Sequence, residues 1–142
     1  MKPIKLPFEG FWKSKEVLPK IKGIYFVYRA TPYMKEGKTR VNIHELIYIG
    51  KAEDQTIWER HQKHERQGDF EAALLEGEEL RYSTVELDKD FDRIENGLIF
   101  KRQPRLNDKL KDSFKYPDSH FILEGNEFDD MFTDFIVKKY DK

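Results

Sequence analysis

A small set of polar residues in this chain has side chains that could take part in proton transfer, anion binding and metal binding. Tyr25 and Tyr48 each stand within two residues of a glycine in an apolar run, and Arg60 and His64 are four residues apart. A four-residue spacing places two side chains on one face of a helix. An arginine presents a planar fork of donors that matches a phosphate, and the carboxylate of Glu95 is a hard oxygen ligand of the kind that Mg²⁺ prefers. Hydrolysis of a phosphodiester needs such groups together with an activated water.

Taken one at a time, these residues have ordinary structural explanations. Tyrosines on apolar strands usually pack in the core with the hydroxyl at its edge, and Arg60 alone is a surface charge. His64 alone is a solvated histidine, and Glu95 next to an apolar helical seam would point to solvent. A phenol with its ordinary pKa of about 10 is also a poor base at neutral pH. Nearby cations or a metal would therefore have to lower the pKa of Tyr25, or a proton relay would be needed.

A long antiparallel hairpin between Gly23 and Gly50 is predicted to position the tyrosines. Its apolar runs, 24–28 and 46–49, are rich in β-branched and aromatic residues, and the segment 35–38 between them has turn chemistry. The polar connection reads as an extended ribbon more than as a loose loop. Because side chains alternate along a strand, the register of this hairpin allows both tyrosines to share one sheet face.

The predicted fold class is α/β, with a small, mainly antiparallel sheet of three strands flanked by helices and an added C-terminal helix. Thr56 and Glu59 have the capping-box spacing, which predicts a helix that runs to about Gln67 and stops at Gly68. Gly97 inside a later helix indicates a close approach by another element. The other predicted elements are a short helix over 69–75, a strand over 81–87, a helix around 94–100 capped by Asp88 or Asp90, a short edge strand or extended segment over 120–123, and a last helix from Asn126 with the apolar stripe Phe128, Met131, Phe132, Phe135 and Ile136.

Length and composition predict one domain over residues 1–142, with an irregular N-terminal arm (1–21) and a C-terminal helical extension (117–142). Hydrophobic residues make up 38% of the chain and charged residues 37%, which is typical of a charged globular surface around a modest core. No window is long and apolar enough to span a membrane, and no signal-peptide pattern is present. The absence of cysteine excludes disulfides, thiolate zinc sites and cysteine nucleophiles. We therefore expect no membrane partner and a cytoplasmic location.

The net charge of −1 hides an alternation of charge along the chain. Residues 1–66 and 93–116 carry an excess of lysine and arginine, whereas 69–92 and 117–142 carry an excess of acids. If the two basic segments fold together, the protein presents a basic face to a polyanion. The alternative is a salt-bridged surface that only keeps the protein in solution.

In chain order, the tripeptides Gly23-Ile24-Tyr25 and Tyr48-Ile49-Gly50, followed by Arg60, Glu95 and Asn107, resemble the GIY-YIG nuclease superfamily. The resemblance covers residues 22–108, and both tripeptides match the letters that name the family. It implies that the two tyrosines line an active site, that Arg60 contacts the scissile phosphate and that Glu95 holds a single divalent ion, Mg²⁺ or Mn²⁺.

The resemblance also implies supporting roles for further residues. Gly23 and Gly50 would allow close packing, and Asn107 would stabilise the site or contact substrate. His64, one turn after the arginine, and Lys51, directly after the second tripeptide, would lie on the substrate side. The connection of the hairpin is longer in this chain than in compact members of the family.

A metal-dependent endonuclease that hydrolyses DNA phosphodiester bonds is the function that the resemblance implies, with RNA not excluded as a substrate. The alternative is a catalytically silent nucleic-acid-binding or regulatory module that keeps the same fold. A near-neutral charge argues against a tight stand-alone binder, because phosphate contacts supply most non-specific affinity. Lys35, Lys38 and Arg40 near the hairpin tip are predicted to be an accessory nucleic-acid contact, or else lysines and arginines that keep an exposed strand edge in solution.

Overall fold

The computed structural model describes residues 1–125 and 133–141, which form a mixed sheet with short helices on both faces. The strands and helices in that part of the chain are β1 (Ile4–Trp12), a 3-10 turn (Lys15–Val17), β2 (Gly23–Lys35), β3 (Lys38–Ala52), α1 (Ile57–Gln62), α2 (Gln67–Ala72), β4 (Glu79–Glu86), α3 (Phe91–Arg102), β5 (Ser119–Glu124) and β6 (Asp134–Val137).

Within the described residues, the sheet has six strands in the order β3-β2-β4-β1-β5-β6. All neighbouring strands are antiparallel except β1 and β5, which are parallel. The predicted fold class, a three-stranded sheet flanked by helices with an added C-terminal helix, is therefore wrong. The three strands predicted from sequence are present as β2, β3 and β4, but they form only one side of a larger sheet.

The N-terminal segment supplies strand β1 where an irregular arm was predicted. Leu6 and Phe8 are buried while Lys5, Pro7 and Glu9 are exposed, which is the period-two alternation of a half-buried strand. Scattered prolines concealed this alternation in the sequence. As a result, a segment placed outside the domain lies between β4 and β5 in the sheet.

The C-terminal segment forms strand β6 where the last helix was predicted. Phe135 and Val137 are buried and alternate with exposed Asp134 and Ile136, so β6 pairs with β5 along one edge of the sheet. The predicted strand at 120–123 is confirmed as β5, although it lies inside the sheet rather than at its edge. The predicted helix start at Asn126 and the stripe members Phe128, Met131 and Phe132 lie outside the described residues.

The helical region after β3 is divided into two short helices. The capping box of Thr56 and Glu59 is present, with each backbone N–H bonded to the other side chain, but α1 ends at Gln62. His64 lies between the helices and Gly68 lies inside α2, so the prediction of one helix to Gln67 is wrong. Arg60 and His64 therefore do not project from a common helix.

Helix α3 is present as predicted and packs closely on the sheet. It ends at Arg102, where Gln103 adopts a left-handed conformation before Pro104. A Cβ on Gly97 would lie 2.7 Å from the ring of Phe121, which confirms the close approach that this glycine indicated. No helix in the described ranges is long and apolar enough to span a membrane.

Alternation along β2 divides the core into two clusters. Ile24, Phe26 and Tyr28 belong to the cluster that includes the apolar residues of α3, whereas Tyr25 and Val27 belong to the cluster that includes apolar residues of α1 and α2. Helix α3 therefore covers one face of the hairpin base, and α1 and α2 cover the other. The second face carries Tyr25.

Beyond residue 30, the hairpin leaves the rest of the sheet. Strand β2 pairs with β4 only from Gly23 to Ala30, while its pairing with β3 continues to Lys35 and Lys38. We call this two-stranded projection, residues 31–42, the ribbon. It closes through Glu36 and Gly37, whose φ angles of 53° and 77° are typical of the two-residue turn that matches strand twist.

Candidate active site

Tyr25 lies across strand β3 because Gly50 has no side chain. The two residues are register partners, and a Cβ on Gly50 would lie 2.3 Å from the phenol oxygen of Tyr25. The phenol therefore extends over the backbone of β3. Gly23 is packed as closely against backbone, since a Cβ there would lie 1.8 Å from the carbonyl oxygen of Val85.

The structure places Tyr48 on the same face as Tyr25. Tyr48 is the register partner of Val27, which is two residues from Tyr25 along β2 and therefore lies on the same face. The two phenol rings have centroids 6.3 Å apart and planes inclined by 27°. The hairpin register alone therefore brings the two tyrosines of the tripeptides together.

His64 holds the hydroxyl of Tyr25 in a buried hydrogen bond of 2.8 Å through Nε2. The backbone N–H of Arg66 donates to the other ring nitrogen, Nδ1, at 3.0 Å, so Nδ1 must carry a lone pair. Burial, with the nearby Arg60 charge adding to it, lowers the pKa of His64 to about 4, and the ring is neutral at pH 7. We therefore assign the proton to Nε2, which donates to the oxygen of Tyr25.

Burial is the main cause of the raised pKa of both tyrosines. The pKa of Tyr25 is raised mainly by burial and further by Tyr48, while the charge of Arg60 opposes these effects. Burial also raises the pKa of Tyr48, and Arg66 and Arg60 oppose it. Both are neutral phenols at pH 7 in this state. The cations that the sequence suggested as pKa-lowering neighbours are present, but burial outweighs them.

Glu95 reaches the site from α3 at the outer edge of β3. Its carboxylate accepts the backbone N–H of Lys51, the residue directly after Gly50. Burial raises the pKa of Glu95 to about 7, Lys51 opposes this, and the acids Asp92 and Glu53 add to it. The charge of Glu95 also raises the pKa of both tyrosines, which places the carboxylate within electrostatic range of the phenols.

Lys51 is engaged by two acids that sequence reasoning missed. Its Nζ donates to Glu53 at 3.0 Å and makes a short contact with Asp92. These bonds raise the pKa of Lys51, so it is fully charged and paired in the absence of substrate. Asp92 precedes Glu95 by three residues on α3, and that helical spacing was the available signal.

Arg60 is likewise paired in this state. Its Nη2 donates to Glu65 at 2.7 Å, and this bond lowers the pKa of Glu65 to about 2. Glu65 is exposed, so an incoming phosphate would compete with an accessible carboxylate for the same donors. The predicted phosphate contact therefore requires an exchange of partners at Arg60.

Two more residues around the tyrosines were not identified from the sequence. Arg66 lies 5.6 Å from the ring centre of Tyr48, bonds to Asp69 at 2.6 Å and donates to the carbonyl of Leu106 at 2.8 Å. His61 is fully buried with its ring centre 4.4 Å from that of Tyr25, edge to face. No spacing in the sequence distinguishes Arg66 from an ordinary surface charge or His61 from an ordinary core residue.

The side-chain amide of Asn107 is hydrogen-bonded to the backbone of β3. Its Nδ2 donates to the carbonyl of Ile49 at 2.9 Å, and its Oδ1 accepts the N–H of Ile49 at 3.0 Å. Because both ends of the amide are occupied, the structure gives Asn107 a positioning role on the strand that carries Tyr48. The alternative, a substrate contact, stays a prediction, because the second N–H of the amide is not used by these two bonds.

The sequence-predicted residues fall into two groups in space. The residues gathered around the end of β3 are Tyr25, Tyr48, Lys51, Arg60, His64, Glu95 and Asn107. The other group, Lys35, Lys38 and Arg40, lies on the ribbon, and Lys35 is about 33 Å from Tyr25 along β2 at 3.3 Å per residue.

The carboxylates of this site determine whether it could hold a divalent ion. Among the described residues, no group of three or more His, Asp or Glu side chains is arranged to hold a metal ion. The half-buried carboxylate of Glu95 nevertheless fits an ion that takes one or two carboxylates and keeps several waters, as Mg²⁺ does. The acids Asp92 and Glu53 lie close enough to raise the Glu95 pKa, so the region favours a cation.

Comparisons with protein-family models, with curated proteins and with solved structures found no match. The likeness to the GIY-YIG superfamily therefore remains a resemblance carried by the residues named above.

Proposed function

We propose that this chain is a divalent-metal-dependent endonuclease that hydrolyses DNA phosphodiester bonds at the outer edge of β3. The observation that supports this proposal is the convergence around Gly50 of Tyr25, of Arg60 and His64, and of Glu95, which come from three separate parts of the sequence. Perturbed groups that gather at one place are typical of catalytic sites. A cytoplasmic location is part of the same proposal, supported by a chain without cysteine.

Glu95 would hold the Mg²⁺ or Mn²⁺ ion through its half-buried carboxylate. When bound, such an ion supplies stabilisation for the charge that develops on phosphoryl oxygens. Arg60 would exchange Glu65 for a phosphate oxygen and present its planar fork to the same developing charge. Lys51 would stay beside the metal-binding carboxylate and balance its acidic neighbours.

Tyr25 would manage the proton of the attacking water. As water attacks phosphorus, the bond to the leaving alkoxide breaks and the proton of the water must be taken up. To accept it, Tyr25 must first release its own proton to solvent, which burial opposes and the charge of Arg60 favours. The leaving alkoxide takes up a proton from solvent. The Nε2–H of His64 donates to the Tyr25 oxygen and would favour the phenolate in the same way.

A catalytically silent nucleic-acid-binding or regulatory module is the second candidate. It is favoured by the ion pairs of two cations at the site, because Arg60 is bound to Glu65 and Lys51 is bound to two acids. In a binding module these ion pairs would be permanent structural links. In an enzyme they must open when substrate binds.

A nicking assay on supercoiled plasmid with Mg²⁺ or Mn²⁺ distinguishes the two candidates. We expect the parent protein to nick DNA only with a divalent ion and Glu95→Gln to lose this activity, with an unchanged melting temperature. Glu9→Gln, on an exposed side chain of β1, is the matched control and should cleave like the parent. Binding without cleavage in the parent would favour the silent module. Full activity in Glu95→Gln would remove Glu95 as the metal ligand.

A further inference from the structure

The two faces of the ribbon differ in chemistry. Directly opposed residues of an antiparallel pair share a face, so the register fixes which side chains lie together. One face carries the pairs Thr31 with Asn42, Tyr33 with Arg40 and Lys35 with Lys38, and the other carries Pro32 with Val41 and Met34 with Thr39. All the cations of the ribbon therefore lie on one face together with an aromatic ring, and the opposite face is uncharged.

The charge on the basic face is not neutralised from within the described structure. Lys35, Lys38 and Arg40 are exposed, and no ion pair joins them to any residue in the described ranges. The acid of the ribbon, Glu36, lies in the turn. At the ribbon base, by contrast, Arg29 is bound to two glutamates. A device that only keeps a strand edge in solution does not require its cations on one face, whereas a contact with a polyanion does.

Along β2, the residues of the basic face have the same alternation as Tyr25. Both irregularities of the hairpin register fall on β3, and β2 pairs with β4 without a break from Gly23 to Ala30. Strand β2 therefore alternates regularly, and Tyr25, Tyr33 and Lys35 share one side. The distance of about 33 Å along the strand between Tyr25 and Lys35 is close to one helical turn of B-form DNA, roughly 34–36 Å.

We propose that the ribbon enters the major groove of B-form duplex DNA about one helical turn away from the phosphate at Tyr25 and Glu95. The major groove of B-form DNA, about 12 Å wide, admits a two-stranded ribbon. Single-stranded DNA has no groove, and the major groove of an RNA duplex is too deep and narrow for side chains to read. The position of the cut relative to the ribbon rests on the proposed nuclease function. Docking of the ribbon on duplex DNA does not.

Salt titrations of binding without divalent ions test the docking independently of cleavage. The Lys35→Gln/Lys38→Gln/Arg40→Gln variant should flatten the slope of log affinity against log salt by about two to three units on duplex DNA. The matched control, Lys2→Gln/Lys5→Gln/Lys89→Gln, removes three exposed lysines from another part of the surface and should leave the slope unchanged. Superimposable slopes for the ribbon variant and the parent would overturn the proposal.

The groove itself is tested with a duplex whose cytosines carry glucosylated C5-hydroxymethyl groups, which fill the major groove. We expect the parent to bind this duplex at least about tenfold more weakly than the plain one, and the ribbon variant to lose this discrimination. Equal affinity of the parent for both duplexes, or for duplex DNA and duplex RNA of the same sequence, would overturn the proposal. Ribbon-dependent duplex binding in a protein that cannot cleave would instead overturn the proposed nuclease function alone.

Discussion

The base and the tip of the hairpin are made of the same two strands but obey different constraints. At the base, where β4 and the helices cover β2, Tyr25 is 1% exposed and its neighbours alternate between two packed clusters. On the ribbon the pairing continues without any cover, and Met34 is 64% exposed. At the base, successive side chains of β2 alternate between two core clusters. On the ribbon, the same alternation puts the charged side chains on one face and the uncharged side chains on the other.

This difference means that the two regions should respond differently to substitution. A change at the base alters packing, and therefore alters stability and the geometry of the site together. A change on the ribbon alters an exposed surface, where substitutions usually shift stability by less than about 0.5 kcal/mol. Binding and catalysis should therefore be separable along one pair of strands.

Gly50→Ala is expected to have the largest effect. The new Cβ would meet the phenol of Tyr25, which would have to move or leave its bond to His64. Overpacking of this kind costs about 1–3 kcal/mol of unfolding free energy. A displacement of about 1 Å at a catalytic group costs about a hundredfold in rate. Denaturant unfolding and the nicking assay measure the two losses.

Gly68→Ala is the matched control for this substitution. Gly68 is exposed inside α2, and nothing lies within 4 Å of its missing Cβ. Alanine is favoured over glycine inside a helix by up to about 1 kcal/mol, so this variant should keep its activity and gain slight stability. Equal activity of both variants would show that the position of Tyr25 over Gly50 is not required for cleavage.

Arg60→Ala should lower the cleavage rate at saturating DNA by about a hundredfold while weakening DNA binding much less. A contact that strengthens as charge develops on the phosphate acts on the transition state more than on the bound substrate. Arg40→Ala on the ribbon is the comparison, and it should weaken binding with little change in the saturated rate. Single-turnover cleavage over a range of DNA concentrations separates the two effects, and a loss in Arg60→Ala confined to affinity would make Arg60 a docking residue.

The pH dependence of stability should distinguish the base from the ribbon as well. Burial, with the neighbouring His64 adding to it, lowers the pKa of His61 from 6.5 to about 3 in the folded protein. Between these values the unfolded chain binds more protons, so the stability that neutral His61 allows is lost as pH falls from about 6.5 toward 3. The contribution at pH 5 relative to neutral pH is about 2 kcal/mol.

His61→Leu should therefore lose less unfolding free energy than the parent between pH 7 and pH 5. Glu95, whose pKa is raised to about 7, has the opposite trend between pH 4.5 and 7, but it is present in both proteins and cancels in the comparison. The ribbon triple variant should keep the pH dependence of the parent. Identical pH profiles for His61→Leu and the parent would contradict a neutral, buried His61.

Glu36→Asn should have the smallest effect. Glu36 has a φ of 53°, a conformation that asparagine tolerates better than glutamate, and Asn-Gly favours this kind of hairpin turn. We expect slower amide hydrogen exchange at the tip, equivalent to roughly 0.5 kcal/mol, with unchanged global unfolding and cleavage. A change in the global unfolding free energy would show that ribbon and base unfold as one unit.

Patterns with one dominant periodicity predicted the elements that carry the site. The hairpin, β4 and α3 were all visible, because each combines a clear apolar repeat with a turn or cap at its ends. Strand β1 was missed because its alternating Leu6 and Phe8 lie between prolines. Strand β6 was missed because Phe135 fits a helical stripe with Ile136 as well as an alternating strand with Val137, and only pairing with β5 decides between them.

The sequence predicted part of the membership of the candidate site, but not the ion pairs or the burial of its side chains. The order of the tripeptides and of Arg60 and Glu95 in the sequence identified side chains that lie together. The pairing of Arg60 with Glu65 and the dominance of burial over positive charge at Tyr25 depend on three-dimensional neighbours. The spacing of residues in the sequence does not reveal how strongly burial desolvates a side chain.

The bonds at the outer edge of β3 also determine how this protein meets other chains. An uncovered edge strand offers unpaired backbone groups that can recruit a strand from another molecule. Here the backbone N–H of Leu106 donates to the carbonyl of Ile47, and the side-chain amide of Asn107 bonds to the backbone N–H and carbonyl of Ile49. The carboxylate of Glu95 accepts the backbone N–H of Lys51. Over residues 47–51 the loop after α3 and Glu95 therefore occupy backbone groups of β3 that a strand from another molecule would need, so this part of the edge is blocked against intermolecular sheet extension.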